Sequence, residues 1–367
     1  MAGMSAGQSR VRRRVTTSDF GPAVTLQDVA DHAGVSLATA SRVLSRGPRN
    51  VGAAMVDRVT RAAEDLGYSA NMQARAVATG QSNMIGVVVH DISDPYFSSI
   101  AAGLIEVAYS RQLLVCLSSV FADAQREREY VSLMRSQRAR AVVLIGSRSD
   151  DVPGRQGLQR EIELFNGSGG RVVCVGQALL GTDTVAPENA AGAEALARSL
   201  VVQGHRSFAV LAGPPGLLTA RDRLEGFRRG LEARRVKLGK TSVVHGEFTR
   251  DGGYEAMSTV LAGPGPLPSC VFAVNDVMAV GALARLRAEG LSVPRDVGLA
   301  GFDDIVTLRD VSPPLTTVRL PLHSMGTMAA NLLFGDADPA QPRVLPVPGE
   351  VILRESTDRP NREQTKR

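Results

Sequence analysis

The sequence predicts two fold classes in one chain: an N-terminal all-α helix-turn-helix headpiece with a hinge helix, then an α/β core of two doubly wound parallel-sheet subdomains. Three observations predict it. Residues 24–48, VTLQDVADHAGVSLATASRVLSRGP, read as two short amphipathic helices joined by a tight turn. From Met84 onward, short Val/Ile/Leu-rich runs alternate with amphipathic stretches, the pattern of buried parallel strands linked by helical crossovers. The 367 residues exceed one ordinary core and favour two or three domains.

Thr25 is positioned to cap the first helix, with Asp28 three residues on in an imperfect capping box, and Leu26, Val29 and Ala30 share one face. Gly34 suits the left-handed position of the turn. Ser36 then caps a second helix whose Ala40, Val43 and Leu44 turn back onto the first. This leaves Leu37, Ala38, Thr39, Ser41 and Arg42 facing outward, on the part of a helix-turn-helix that enters the major groove of DNA. An ordinary helical hairpin is the competing reading. Charge argues against it: residues 1–80 hold ten arginines and no lysine against six acidic residues, most of the whole chain's formal +5, so a phosphate backbone would be attracted there.

Residues 52–68 carry Met55, Val56, Val59, Ala62, Ala63 and Leu66 at helical spacing, a third helix that closes a small core and stops at Gly67. Residues 71–83, rich in alanine and small polar residues, read as a short linker helix. The strand candidates follow at 84–89, 113–119, 141–146, 171–176, 208–213, 242–246, 270–275 and 297–304. They could form one large sheet, a barrel or two sheets; a break at GTDTVAPEN, 181–189, favours two sheets with a cleft between them. Residues 263–268, GPGPLP, are a turn cluster.

Other classes are excluded by what the chain lacks. No apolar run reaches the ~20 residues of a membrane helix, and the arginines at 10 and 12–14 are not followed by the apolar segment of a secretory signal, so a cytoplasmic, nucleoid-associated protein is expected. Cys116, Cys174 and Cys270 sit singly in apolar runs and read as buried small hydrophobes; His32, His90, His205, His245 and His323 are scattered and read as structural or surface residues. No phosphate-binding, zinc-protease or nucleophile-elbow motif is present, and Asp303 and Asp304, read as strand neighbours, would face opposite ways rather than flank one substrate. Neither a catalytic residue, a cofactor nor a metal is expected.

The segments TLQDVADHAGVSLATASRVL, AAEDLGY, ARAVATGQSNMIGVVV, DISDPYF, TARDRLEGF, CVFAVND, VGLAGFDD, PPLTTV and EVILRES occur in one order and spacing. In them the chain resembles the lactose-repressor-type (LacI-family) bacterial transcription regulators over residues 24 to about 357. The resemblance implies a repressor that binds double-stranded operator DNA as a homodimer, with a periplasmic-binding-protein-like core that holds a small sugar-like effector. It adds Thr25, Ser36, Asn50, Ala74 and Val77 to the DNA-contacting set. It implies effector-binding roles for Asp94, Tyr96, Phe97, Thr219, Arg221, Arg223, Phe248, Asn275 and Asp303, with Phe248 stacking on a ring and Arg223 reaching a hydroxyl or carboxylate.

The implied domains are a disordered basic arm at 1–23, the headpiece at 24–70, the hinge at 71–83, one core subdomain at 84–185 and 320–348, the other at 186–319 and 349–357, and a tail at 358–367. The chain departs from the family where Val77 replaces the usual leucine wedge, where the loop SRGPRN, 45–50, is one residue longer than usual, and where Gly52 replaces a serine cap; Arg46 and Arg49 are candidates to compensate through phosphates. The helix LHSMGTMAANLLF, 322–334, is either a dimer surface or buried in its own subdomain. A solute-binding protein or a sugar-active enzyme on the same core, and a purine as effector, are the competing functions.

Overall fold

The structure, a computed structural model, describes residues 24–46, 52–68, 81–335 and 341–359. The chain divides into two units, Met1–Thr79 and Gly80–Arg367.

In the first unit, helices α1 (Leu26–Ala33), α2 (Leu37–Arg46) and α3 (Ala53–Asp65) enclose a core of small residues. The capping box of α1 is complete: Asp28 N donates to the Thr25 hydroxyl, and Thr25 N donates to the Asp28 carboxylate at 2.8 Å. These hydrogen bonds favour the ionised form and hold the Asp28 carboxyl below its ordinary range. Gly34 takes the left-handed conformation, φ 63°, that ends α1 and starts the turn. Val29, Ala30, Ala33, Ala40, Val43, Val59, Ala62 and Ala63 are buried together, so short side chains let three short helices pack closely. Gly52 supplies no side-chain cap to α3.

In the second unit, six parallel strands form one sheet: β1 (Met84–Val89), β2 (Leu114–Ser119), β3 (Ala141–Ile145), β4 (Arg171–Val175), β5 (Asp183–Pro187) and β11 (Val344–Val347), in the order β11-β5-β4-β3-β1-β2. A second parallel sheet runs β7 (Val243–His245), β6 (Phe208–Ala212), β8 (Cys270–Ala273), β9 (Gly298–Ala300). β10 (Thr317–Arg319) pairs antiparallel with β12 (Glu350–Ile352). Both parallel sheets are covered by helices, so their central strands are buried on both faces, as the runs of Val and Ile require.

The structure corrects two sequence expectations and decides one alternative that the sequence left open. The segment read as a break, 181–189, contains β5, an interior strand of the first sheet; the chain leaves for the second lobe only after Pro187, through α7 (Asn189–Val202). Asp183 at its start is pinned by Arg171 at 2.8 Å and Arg343 at 2.6 Å, and these ion pairs and hydrogen bonds outweigh burial to lower its carboxyl pKa. Second, α11 (Leu322–Phe334) turns its apolar face inward: Leu322, Met325, Ala329 and Leu332 are buried against α4 (Pro95–Ser110). The two helices cross at Gly103 and Gly326, where a side-chain carbon on either would overlap a backbone carbonyl of the other helix. α11 therefore belongs to its own lobe and leaves no apolar stripe for a dimer. Third, Asp303 and Asp304 are not strand neighbours, because β9 ends at Ala300 and both lie at positive φ, 116° and 55°. Their side chains still diverge, Asp303 toward Arg223 and Asp304 toward Arg319 and Arg354.

Candidate functional site

On the headpiece, Leu37, Ala38 and Arg42 are exposed on α2, and Thr39 and Ser41 are half-buried beside them. Leu37 is 46% exposed, on a face that no other described part of the unit covers. Thr25 and Ser36 spend their hydroxyls on helix ends: Ser36 Oγ accepts from Thr39 N at 3.2 Å and bonds the Thr39 hydroxyl at 2.8 Å. The start of α2 is thus rigid, and its outward side chains project from a fixed frame. Asn50, Ala74 and Val77, with Arg49, the basic arm and most of the hinge, lie outside the described residues.

In the core, the carboxyl ends of the strands of both sheets face a cleft of about 580 Å³, where parallel sheets place ligands. Asp94, Tyr96 and Phe97 reach it from the turn after β1 and the start of α4; Thr219 and Arg223 from α8 (Leu218–Glu232); Phe248 from the loop after β7; and Asp303 from the loop after β9. Asp94 caps α4 by accepting from Tyr96 N at 2.9 Å, and burial nevertheless pushes its carboxyl pKa up. Tyr96 and Phe97 meet edge to face at 5.0 Å, and burial pushes the Tyr96 phenol up as well, so it stays a neutral donor.

The polar edge of the cleft is built around Arg223, buried to 1% exposure. Its guanidinium donates to both oxygens of Asp303 at 2.6 and 3.2 Å, to Asn189 Oδ1 at 2.9 Å and to the Val274 carbonyl at 2.7 Å, and lies 3.9 Å over the Phe302 ring. Burial pushes the Asp303 carboxyl up to about 7 against the opposing pull of Arg223. Behind it Asp276, which opens α10 (Asp276–Ala288), is pushed up by burial to about 6, while the Thr317 hydroxyl and Ile305 N donate to it.

Two of the expected residues are elsewhere. Arg221 is exposed and does not line the cleft. Asn275 is buried and caps α10, its Oδ1 accepting from Met278 N at 2.9 Å, while its Nδ2 donates to the Phe248 carbonyl at 3.4 Å; it positions the Phe248 backbone instead of facing a ligand. Conversely, His90, Phe121, Ser147 and Asn189 line the cleft and were not singled out. Burial, then the nearby Arg148 charge, lower the His90 pKa to about 4, so its imidazole is neutral and offers one donor and one acceptor. The signal that could have found it was position: His90 is the first residue after β1, at the carboxyl edge of a buried strand.

One side of the cleft is stitched between lobes. Leu218 N donates to the Arg148 carbonyl at 2.9 Å, Asp150 N to the Gly216 carbonyl at 3.0 Å, and Thr219 N to the Ser147 hydroxyl at 3.0 Å. Gln177 donates to the Thr219 hydroxyl at 2.9 Å and accepts from Arg148 N at 2.8 Å. The loop that carries Arg148 is itself anchored by a buried Arg148–Glu127 pair at 2.8 Å. Among the described residues no group of acidic, Cys or His side chains could hold a metal ion, and no helix is long and apolar enough to cross a membrane.

Comparison with known proteins agrees with both units. Residues 25–71 match the model of bacterial regulatory proteins, lacI family, and residues 197–357 match a periplasmic binding protein-like domain. The HTH-type transcriptional regulator GalR of Escherichia coli (strain K12) is 34% identical over 316 residues, 86% of this chain and 89% of that protein. The HTH-type transcriptional repressor CytR of the same strain is 33% identical over 314 residues, 85% and 89% respectively. Among solved structures, the transcriptional regulator CelR–cellobiose complex aligns with TM-score 0.65 and 28% identity, covering 91% of this chain and 99% of that one. The Lac repressor dimer bound to operator and the anti-inducer ONPF shares the fold at TM-score 0.78 and 24% identity, covering 92% and 99%. With a capped helix-turn-helix, a two-lobed core and relatives matched over nearly their whole length, the chain belongs to the lacI family of bacterial regulatory proteins and is a transcriptional regulator, not an enzyme.

Proposed function

We propose that the protein is a repressor that binds a pseudo-palindromic operator as a dimer and changes its operator affinity when a small polar, sugar-like effector occupies the core cleft. The observation that carries the effector reading is the pairing of surfaces in the cleft. The Arg223–Asp303 edge and the neutral His90 serve hydroxyls, while Phe248, Tyr96 and Phe97 offer apolar faces to the underside of a sugar ring. The CelR relative was solved with cellobiose, which fits the same chemistry. The operator reading rests on the outward residues of α2, with Arg42 the side chain suited to a base edge or a phosphate. The site of action is the cytoplasm, on the bacterial chromosome.

The dimer contact is assigned to the edge of the first sheet instead of α11. Edge strand β2 leaves Leu114 67% and Leu117 39% exposed, and α4 beside it leaves Ile105 44% and Tyr109 83% exposed. An uncovered edge strand with apolar side chains invites pairing, and a second copy would cover it. The test is an operator titration of the full chain with and without sugars chosen by thermal shift. A sugar that raises the melting temperature and moves the operator titration supports the reading; a purine or nucleoside that does both while all sugars are silent replaces the effector class.

A further inference from the structure

We propose that Asp304 is a positioning residue that couples the cleft to two of the segments joining the lobes, so that the Arg223–Asp303 edge and the lobe arrangement change together. The coupling concerns the step between an occupied cleft and a rearranged core, and so rests on the reading that cleft occupancy is the signal. Among the described residues three segments join the lobes: the passage from β5 into α7, the passage through β10 into α11, and the return through β12 to the tail. The last two are paired as strands, Thr317 with Ile352, Val318 with Val351 and Arg319 with Glu350. The tail is fixed on the second lobe, where the Ser356 hydroxyl donates to the Leu299 carbonyl of β9 at 2.6 Å.

Asp304 ties both of these crossings to one loop. Its carboxylate, 10% exposed, accepts from Arg319 Nε on β10 at 2.7 Å and from Arg354 Nη2, just after β12, at 2.7 Å. The two arginines are themselves held. Arg354 Nη1 donates to the Leu315 carbonyl at 2.9 Å and Arg354 N to the Thr316 hydroxyl at 2.8 Å, while Arg319 Nη1 lies 3.7 Å from Glu350. A fully exposed ion pair constrains little, but a carboxylate that has given up most of its water to two arginines keeps its place only while both crossings keep theirs.

The preceding residue belongs to the cleft. Asp303 is bracketed by β10: its N–H donates to the Val318 carbonyl at 2.8 Å and its own carbonyl accepts from Leu320 N at 3.2 Å, while its carboxylate holds Arg223. Asp303 and Asp304 both take positive φ, 116° and 55°, a backbone that residues with a side chain rarely adopt and that persists only where the surroundings over-determine it. Those surroundings are the two crossings on one side and Arg223 on the other. A shift of β10 therefore carries the Asp303 carboxylate with it or breaks these bonds, and a shift of Arg223 acts back on β10 by the same route. Asp304 itself does not line the cleft, so substituting it tests the coupling and not a ligand contact.

Amide hydrogen exchange on the full-length protein, without ligand or operator, tests this in Asp304→Asn and in the milder Arg319→Gln, whose side chain is half exposed. The amides of Asp150, Leu218 and Thr219 donate across the lobes and are bonded to neither side chain, so they report the lobe arrangement; those of β1, β3 and β8 report overall stability. The expected result is exchange about threefold or more faster at Asp303 and Leu320 and also at Asp150, Leu218 and Thr219, with β1, β3 and β8 unchanged. The combined variant should exchange no faster at the inter-lobe amides than Asp304→Asn, because both changes open one clamp. Acceleration confined to Asp303 and Leu320 overturns the proposal, as do effects that add in the combined variant. If Asp304→Asn also accelerates β1, β3 and β8, Arg319→Gln decides, and uniform acceleration there too overturns the proposal in favour of a general structural role. None of these outcomes touches the effector reading, whereas an operator titration that no small molecule moves overturns that reading and leaves the clamp standing.

Discussion

Replacing Arg223 should destabilise the core and abolish the ligand response together, and a second substitution should separate the two effects. In Arg223→Met, Asp303 keeps its 4% exposure but loses the fork that holds both its oxygens, while Asn189 Oδ1 and the Val274 carbonyl each lose a donor. Breaking a buried ion pair by removing one partner costs about 3–5 kcal/mol, and each buried acceptor left without a donor about 1–3 kcal/mol more. Arg223 borders the cleft, so water can reach part of the gap, which places the total near 4 kcal/mol. That is a large share of the roughly 5–15 kcal/mol of a typical domain. The double variant Arg223→Met/Asp303→Leu removes both charges and fills the space with apolar atoms, so it should recover about 2 kcal/mol or more relative to Arg223→Met while staying below the parent, because Asn189 Oδ1 and the Val274 carbonyl still lack their donor. Urea unfolding of the single and double variants, with calorimetry on the same samples, measures both quantities. The single variant should be the least stable, and neither should bind the effector. A double variant as unstable as Arg223→Met would refute the claim that unpaired charge at Asp303 is what the substitution exposes.

Three further outcomes follow from the same geometry. Arg42→Ala should weaken operator binding by about 1–3 kcal/mol without moving the core's unfolding transition, as gel-shift titration beside denaturant melts will show; unchanged affinity removes Arg42 from the interface. Leu114→Lys with Tyr109→Glu on the exposed edge should shift the protein from dimer to monomer in analytical ultracentrifugation, whereas the same charges on α11 at buried Met325 should unfold the lobe instead. For His90 the folded pKa, about 4, lies below its ordinary 6.5, so the unfolded chain binds more protons between those values and stability is lost as pH falls through the window. The loss amounts to up to about 3 kcal/mol. Asp276, raised to about 6, works in the opposite direction over part of that range, so the quantity to read is the difference between parent and His90→Gln in melts from pH 7 to pH 4; parallel curves would show that His90 is not held neutral.

How much could be read from the chain depended on whether local chemistry or distant pairing fixed each part. β1, at 84–89, and β3, at 141–145, are unbroken Val/Ile/Leu-rich runs, and burial on both faces leaves them no other reading. β5, β10, β11 and β12 were missed because each is three to five residues long and owes its place to a partner. β11 contains Pro346, which a central strand would not tolerate; it survives because β11 is the last strand of its sheet, paired only with β5. The cleft was partly legible for a similar reason. Motif position brings Arg223 to the cleft lining, but Arg221 lies about 200° around the same helix and therefore faces solvent when Arg223 faces in. Asn275 follows a strand like the true cleft residues, yet it sits at a helix start, where an asparagine side chain is claimed by the backbone. His90 carried only the signal of its position, one residue past β1; its meaning arises when the end of β1 is brought opposite the second lobe.

Ligand control of a two-lobed core requires that occupancy and lobe geometry trade on comparable free energies, and the magnitudes here are comparable. The four direct stitches between lobes, from Leu218 N, Asp150 N, Thr219 N and Gln177, contribute about 0.5–1.5 kcal/mol each, hence about 2–6 kcal/mol together. Moving a two-state population from 1:99 to 99:1 takes about 5.5 kcal/mol of differential binding. A ligand of micromolar affinity binds with about 8 kcal/mol in total. An effector touching both lobes can therefore tip the arrangement, but only if most of its contacts are made in one geometry. Thr219 is where the two ledgers meet. Its backbone N–H and its hydroxyl are both held by first-lobe side chains, Ser147 and Gln177, while the residue lines the cleft. A ligand hydroxyl that competes for that threonine loosens the stitches, and one that joins the network tightens them, so the same site can serve either sign of control through where a single hydroxyl sits.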